Sequence, residues 1–107
     1  MRKRLLVLMT ILGAICLTAA TYDRHMLLIN KSSRSIIAFY ASNEDSNSWE
    51  ENILRDGYLS PGYQIRVNVD DGTGHCMYDF KAVLRGGATA VRRSINVCQI
   101  TSWTITD

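Results

Sequence analysis

Two histidines, His25 and His75, are all the imidazole in this 107-residue chain, and no Cys-x-x-Cys motif accompanies them. Without that spacing or a four-ligand set, the pattern of a structural zinc centre is missing. No serine stands in a Gly-x-Ser-x-Gly elbow, so the hydrolase context that motif creates is missing. No apolar run reaches the roughly twenty residues a membrane-spanning helix needs; the longest extends from Leu5 to Leu17. A basic stripe is lacking as well. Arg92-Arg93 is the one adjacent basic pair outside the N-terminus, far short of the multi-phosphate footprint of a nucleic-acid binder, so nucleic acid is excluded as a partner. There is no linker, low-complexity tract or internal repeat.

What is present begins at the N-terminus. Arg2-Lys3-Arg4 precedes the apolar run, and Thr18-Ala19-Ala20 follows it. A charged start, a short apolar stretch and a small-residue site make a secretory signal peptide, expected over residues 1–20 with cleavage after Ala20. Ile15 before Cys16 argues against lipidation of that cysteine. The chain has twelve Lys/Arg and ten Asp/Glu; removing Arg2, Lys3 and Arg4 leaves nine against ten, a net charge of −1. Cys16 departs with the same segment, leaving Cys76 and Cys98 to form one disulfide in an oxidising, periplasmic space.

Residues 21–107 read as one all-β domain. Tyr63, Ile65, Val67 and Val69 alternate with Gln64, Arg66 and Asn68, giving a strand with one apolar face. Ser60-Pro61-Gly62 marks its start and Asp70-Asp71-Gly72-Thr73-Gly74 its end, both dense in turn formers. Cys76, Tyr78, Phe80, Ala82 and Leu84 share a face of the next strand, which Gly86-Gly87 turns into a hairpin. A two-residue turn pairs Tyr78 with Ile95 and Ala82 with Val91, and sets Cys76 opposite Val97. A bulge near Arg92-Arg93 is therefore expected to bring Cys98 to Cys76. His25 to Asn30, Ile36 to Ala41 and Trp103 to Ile105 complete the strands, and the one beginning at Met26 is a candidate exposed edge. Ser48-Trp49-Glu50-Glu51 fits a capping box, so a short helix is expected with Trp49 and Ile53 on its inner face. The expected architecture is a small antiparallel β-sandwich of five to six strands with one short helix and one disulfide.

Few residues carry chemistry. Asp70, Asp71, Thr73 and His75 crowd into six positions; the expected state is a turn whose aspartates cap local amides, without a metal or cofactor. Calcium binding through Asp70 and Asp71 is the alternative, although the spacing of an EF-hand is absent. A small hydrolase using His75 stands behind that. Trp49, Glu50, Glu51 and His75 form the candidate contact surface, and Asn30-Lys31-Ser32 matches a glycosylation sequon.

Phe39-Tyr40-Ala41-Ser42-Asn43, Ser48-Trp49-Glu50-Glu51, Leu59-Ser60-Pro61-Gly62 and the stretch from Asp70 to Cys76 carry a resemblance. Together they resemble a family of small exported bacterial proteins, chiefly alphaproteobacterial, with FYASN-like, SWEE-like, L-x-P-G and DDGTG-x-C segments. The resemblance covers about the whole of residues 21–107. It implies a periplasmic location and a shared fold, and no activity. The functional expectation is thus an exported, non-catalytic binding protein whose partner is another periplasmic or envelope protein, touching membrane only through the transient signal peptide.

Overall fold

The computed structural model describes residues 23–107. The expected signal peptide and its cleavage site lie outside the described residues. Six strands form: β1 His25–Asn30, β2 Ile36–Asn43, β3 Gln64–Asn68, β4 Met77–Leu84, β5 Thr89–Asn96 and β6 Ser102–Ile105. They make two three-stranded sheets, ordered β3-β1-β6 and β2-β4-β5. The second is antiparallel throughout. The first is mixed, because β6 runs parallel to β1. The expectation of a wholly antiparallel body is corrected there: β5 and β6 are joined by the turn at 97–99, and the chain reaches β1's free side travelling in β1's direction.

Alternation decides what is buried. Met26, Leu28 and Asn30 point inward from β1, and Tyr78, Phe80, Ala82 and Leu84 from β4. Phe39 and Phe80 meet edge to face at 5.4 Å, and Trp103 from the other sheet lies 6.2 and 5.6 Å from them. The apolar faces of both sheets therefore close on one core, to which such ring pairs add about 1 kcal/mol each beyond their buried area.

Three strand-level expectations need correction. β1 is the middle strand of its sheet, so the segment from Met26 is no exposed edge. Val67 and Val69 are buried, yet Tyr63 and Ile65 of the same face are 66% and 40% exposed; β3 is an outer strand and its first half overhangs the core. The hairpin loop also holds three residues, Arg85-Gly86-Gly87, closed by Leu84 N–H donating to the Ala88 carbonyl at 2.8 Å. Gly86 and Gly87 both have positive φ, 97° and 98°, which glycine adopts without a Cβ penalty. Ala82 accordingly pairs with Ala90, and Lys81 with Val91.

The bulge expected near Arg92-Arg93 falls at Arg93-Ser94, and beyond it Tyr78 pairs with Ile95. Ser94 takes φ 57°, and Asp79 holds the distortion by accepting from Ser94 N–H at 2.9 Å and from Arg93 Nη1 at 3.1 Å. The longer turn consumes the residue this bulge adds, so Val97 N–H still donates to the Cys76 carbonyl. Cys98 reaches Cys76 by another route. Past Asn96 the chain turns over, with Ile100 N–H donating to the Asn96 carbonyl, and the two cysteine Cα atoms come to 5.4 Å, joined by a disulfide.

The expected helix does not form. Residues 44–63 contain only turns and an isolated bridge. Ser48 does not cap Glu51; its carbonyl accepts from Ser42 Oγ and Ser46 Oγ, while Glu50 N–H donates to Ser42 Oγ. Asn52 Oδ1 accepts from Phe39 N–H, Ile53 N–H donates to the Phe39 carbonyl, and Leu59 bridges Ile36. A two-turn helix is marginal in water, whereas the free edge of β2 offers unpaired backbone groups. Short polar side chains that bond the main chain tip the balance toward a strap along that edge.

Candidate functional site

Segment 44–54, which carries Glu50 and Glu51, and segment 70–75, which carries Asp70, Asp71 and His75, are brought together at one end of the fold. β2 delivers Asn43 and β4 delivers Tyr78 to the same register position, and both reach Asp71. Tyr78 Oη donates to Asp71 Oδ1 at 2.8 Å, and Asn43 Nδ2 donates to Asp71 Oδ2 at 2.8 Å. Thr73 adds its backbone N–H and its hydroxyl, both to Oδ1. Burial works against ionising this carboxyl, but the donors from Thr73, Asn43 and Tyr78 outweigh it and hold the group well below the usual carboxylate range. The same contact acts in reverse on the phenol: burial, then the facing Asp71 carboxylate, push Tyr78 up to about 12.

Asp70 Oδ1 accepts from Gly72 N–H, and Asn68 Oδ1 from Asp70 N–H, so successive side chains cap successive amides. Gly72 and Gly74 supply φ of 81° and 80°. Arg24 Nε donates to the His75 carbonyl at 2.7 Å and ties the loop to the start of β1. Among the described residues no three His, Cys, Asp or Glu side chains converge on a metal-sized space.

His75 bridges the two segments. Its Nε2 lies 2.9 Å from Asp45 Oδ2 and its Nδ1 2.6 Å from Thr73 Oγ1. The connectivity is carboxylate, imidazole, hydroxyl, as in an acyl-transfer triad. The direction of donation differs. Thr73 has one hydroxyl proton, and Asp71 takes it, so Nδ1 faces an oxygen with no proton to yield. The arrangement is that of a tie between loops.

Glu50 and Glu51 lie on the strap and, with Asp70 and Asp71, line a groove of about 340 Å³ on the flank between the sheets. Trp49 is elsewhere. It leaves the strap over the outer face of β2-β4-β5, with Lys81 Nζ 5.9 Å and Arg93 Cζ 5.6 Å from its ring, beside a recess of about 110 Å³. The inward, helix-borne position expected for it is corrected: the core tryptophan is Trp103, 8% exposed. Asn30 of the sequon is fully buried, with Nδ2 donating to the Arg34 and Leu59 carbonyls and Oδ1 accepting from Ser32 N–H and Oγ. It is a structural node, closed to a glycan in the folded protein.

Sequence reasoning missed Asn43, Asp45 and Tyr78 as partners of the 70–75 loop, since their separations of 28, 30 and 7 residues carry no local signal. Tyr40 and Lys81 were findable: their parity on β2 and β4 sends them outward, opposite each other. No family model matches the chain, nor does any curated protein or solved structure.

Proposed function

We propose that this chain is an exported, non-catalytic binding module, folded as a small β-sandwich and allied to the family of small exported bacterial proteins that its FYASN, SWEE and DDGTG-x-C segments resemble. Its contact surface is the end built from 44–54 and 70–75, and its partner is a periplasmic or envelope protein. The observation that carries this reading is the cross-tying of those two segments by Asn43–Asp71 and Asp45–His75. Loops held in one conformation before contact lose less entropy on binding, which is what a recognition surface needs. The commitment of the Thr73 hydroxyl to Asp71 weighs against hydrolysis through His75. The groove beside Glu50 and Glu51 adds carboxylates where a basic partner residue can dock.

Export is tested first, by intact mass of the protein from the cell envelope: loss of residues 1–20 is expected, and an unprocessed start rejects the address. Tagged wild type and a Glu50→Lys/Glu51→Lys variant are then compared as bait in periplasmic extract. The expected result is one protein retained by wild type and lost by the variant. Recovery of bait alone, or equal retention by both, overturns the assignment of this surface.

A further inference from the structure

The outer face of β2-β4-β5 has a chemistry unlike the rest of the surface. Ile37, Val91 and Tyr58 are three of the five large apolar side chains exposed among the described residues. Val91 shares a cross-strand row with Lys81 and Tyr40, and the Ile36–Leu59 bridge sets Ile37 beside Tyr58. Cations are threaded among the rings. Lys81 Nζ lies 5.7 Å from Tyr40 and 5.9 Å from Trp49, Arg93 reaches Trp49 from 5.6 Å, and Arg85 Cζ lies 5.9 Å from Tyr58. Asp79, on the same strand as Lys81, is spent on Arg93 and the bulge amide. Among the described residues Lys81 and Arg85 have no carboxylate within 4.0 Å. The face is positive on a domain whose residues 21–107 sum to −1.

We propose that this face docks on an anionic lipid surface. Charge complementarity selects the sign: Lys81 and Arg85 have no carboxylate partner, and phosphate headgroups supply a counter-ion to each. The rings select lipid over an acidic protein. Tyr and Trp with an apolar body and a polar rim settle at the headgroup level of a bilayer, and here they lie between cations and exposed aliphatics on one pleated sheet. A protein partner would need a pocket for its anchoring side chains; the recess beside Trp49 holds about 110 Å³, and the larger hollow at Arg85 is lined by Ser33, Arg34, Ser35, Pro61 and Gly86 and by none of the rings. Docking presents the tied loops at the end of the sheet to a partner in the same envelope. The proposal extends the export reading, and its failure is separable, since processing is read by mass and docking by sedimentation.

The test uses the protein as recovered from the envelope, with every variant carrying the same N-terminus so that differences report the face alone. Wild type is expected to sediment with vesicles of equal phosphatidylglycerol and phosphatidylcholine, to stay soluble with phosphatidylcholine alone, and to be released by salt. Lys81→Glu/Arg85→Glu should weaken sedimentation on the order of tenfold or more, and the milder Lys81→Gln/Arg85→Gln should fall between, with unchanged far-ultraviolet dichroism. Brominated lipid should quench wild-type emission and leave Trp49→Phe unquenched, because Trp103 is buried. Equal sedimentation with both vesicle types, indifference to the charge substitutions, or quenching that survives Trp49→Phe overturns the proposal. So does capture of an acidic protein through this face in place of vesicles.

Discussion

Two polar nodes close the fold at opposite ends, and they do so with different chemistry. Asn30 ends β1; Asp71 follows β3, whose last residue, Asn68, pairs with the first of β1. Asn30 is fully buried and neutral, and its amide makes four hydrogen bonds, two given and two received. Asp71 is charged, partly exposed, and accepts four. Where water is absent, a neutral group with matched donors and acceptors avoids the cost of burying charge. Where water can approach, a carboxylate gains stronger bonds to its donors and a dependence on pH. One node is a lock, and the other is the base of the candidate contact surface.

The comparison breaks most visibly at the lock. Asn30→Ala leaves the buried Ser32 N–H without its acceptor and takes one of two donors from each of the Arg34 and Leu59 carbonyls, which keep Ser32 Oγ and Ile36 N–H; together these losses should cost about 3 kcal/mol, read by thermal or urea unfolding. Asn30→Asp is the sharper variant. Its second oxygen would face those two carbonyls and need a proton, so its folded pKa should rise. Stability relative to wild type should then be best below about pH 4 and be lost as pH rises, giving the buried node a pH dependence it lacks. Equal loss at all pH values would mean the site opens to water.

The disulfide ranks next and lies at the other end. Cys76 and Cys98 are 22 residues apart, and removing the bridge with Cys76→Ser/Cys98→Ser should cost about 3 kcal/mol, mainly by freeing the unfolded chain. Its effect should be flat across acid pH, in contrast with that of Asp71 beside it.

At Asp71 the signs differ for the two partners. Its folded carboxyl titrates below its unfolded value near 3.9, so its contribution is whole above about pH 4 and disappears as pH falls below that. Tyr78 is raised to about 12, so the contribution of its phenol is whole below about pH 10 and is lost as pH climbs through about 12. Melting temperature against pH should show a plateau with two shoulders. Asp71→Asn should remove the acid shoulder at a neutral-pH cost of about 1–2 kcal/mol, and Tyr78→Phe should remove the alkaline one. A Tyr78→Phe profile that keeps its alkaline fall would place that loss elsewhere.

Much of the strand content was legible because period-two alternation is a local property: β1, β4 and β6 could be read almost to the residue. The disulfide followed from there being one pair of cysteines outside the N-terminal segment. What stayed hidden depended on competition between distant groups. The capping box of Ser48 is a real local preference, and it lost to the open edge of β2, which no window of sequence around Ser48 reveals. The parallel pairing of β6 with β1 is likewise a matter of which edge is free. In the candidate site, the Asx-type turns at Asp70 and Asp71 could be read from spacing, whereas their distant partners could not. Trp49 lies outside its expected inward place for the same reason: without the helix, nothing turns it toward the core.

The smallest effect is expected where the two loops meet. Asp45 is 77% exposed at its side chain, and a contact so open to water contributes little to stability, so His75→Gln should barely move the melting temperature. Its effect belongs to local motion instead. With the tie cut, Asp45 loses its hold on the 70–75 loop, and Thr73 keeps only Asp71. Amide exchange should therefore speed up around Glu44 to Ser46 and at Gly74, while the Asn30 end is unchanged. If exchange rises equally at both ends, the loops are not an independent unit, and the division into a rigid lock and a tuned surface fails.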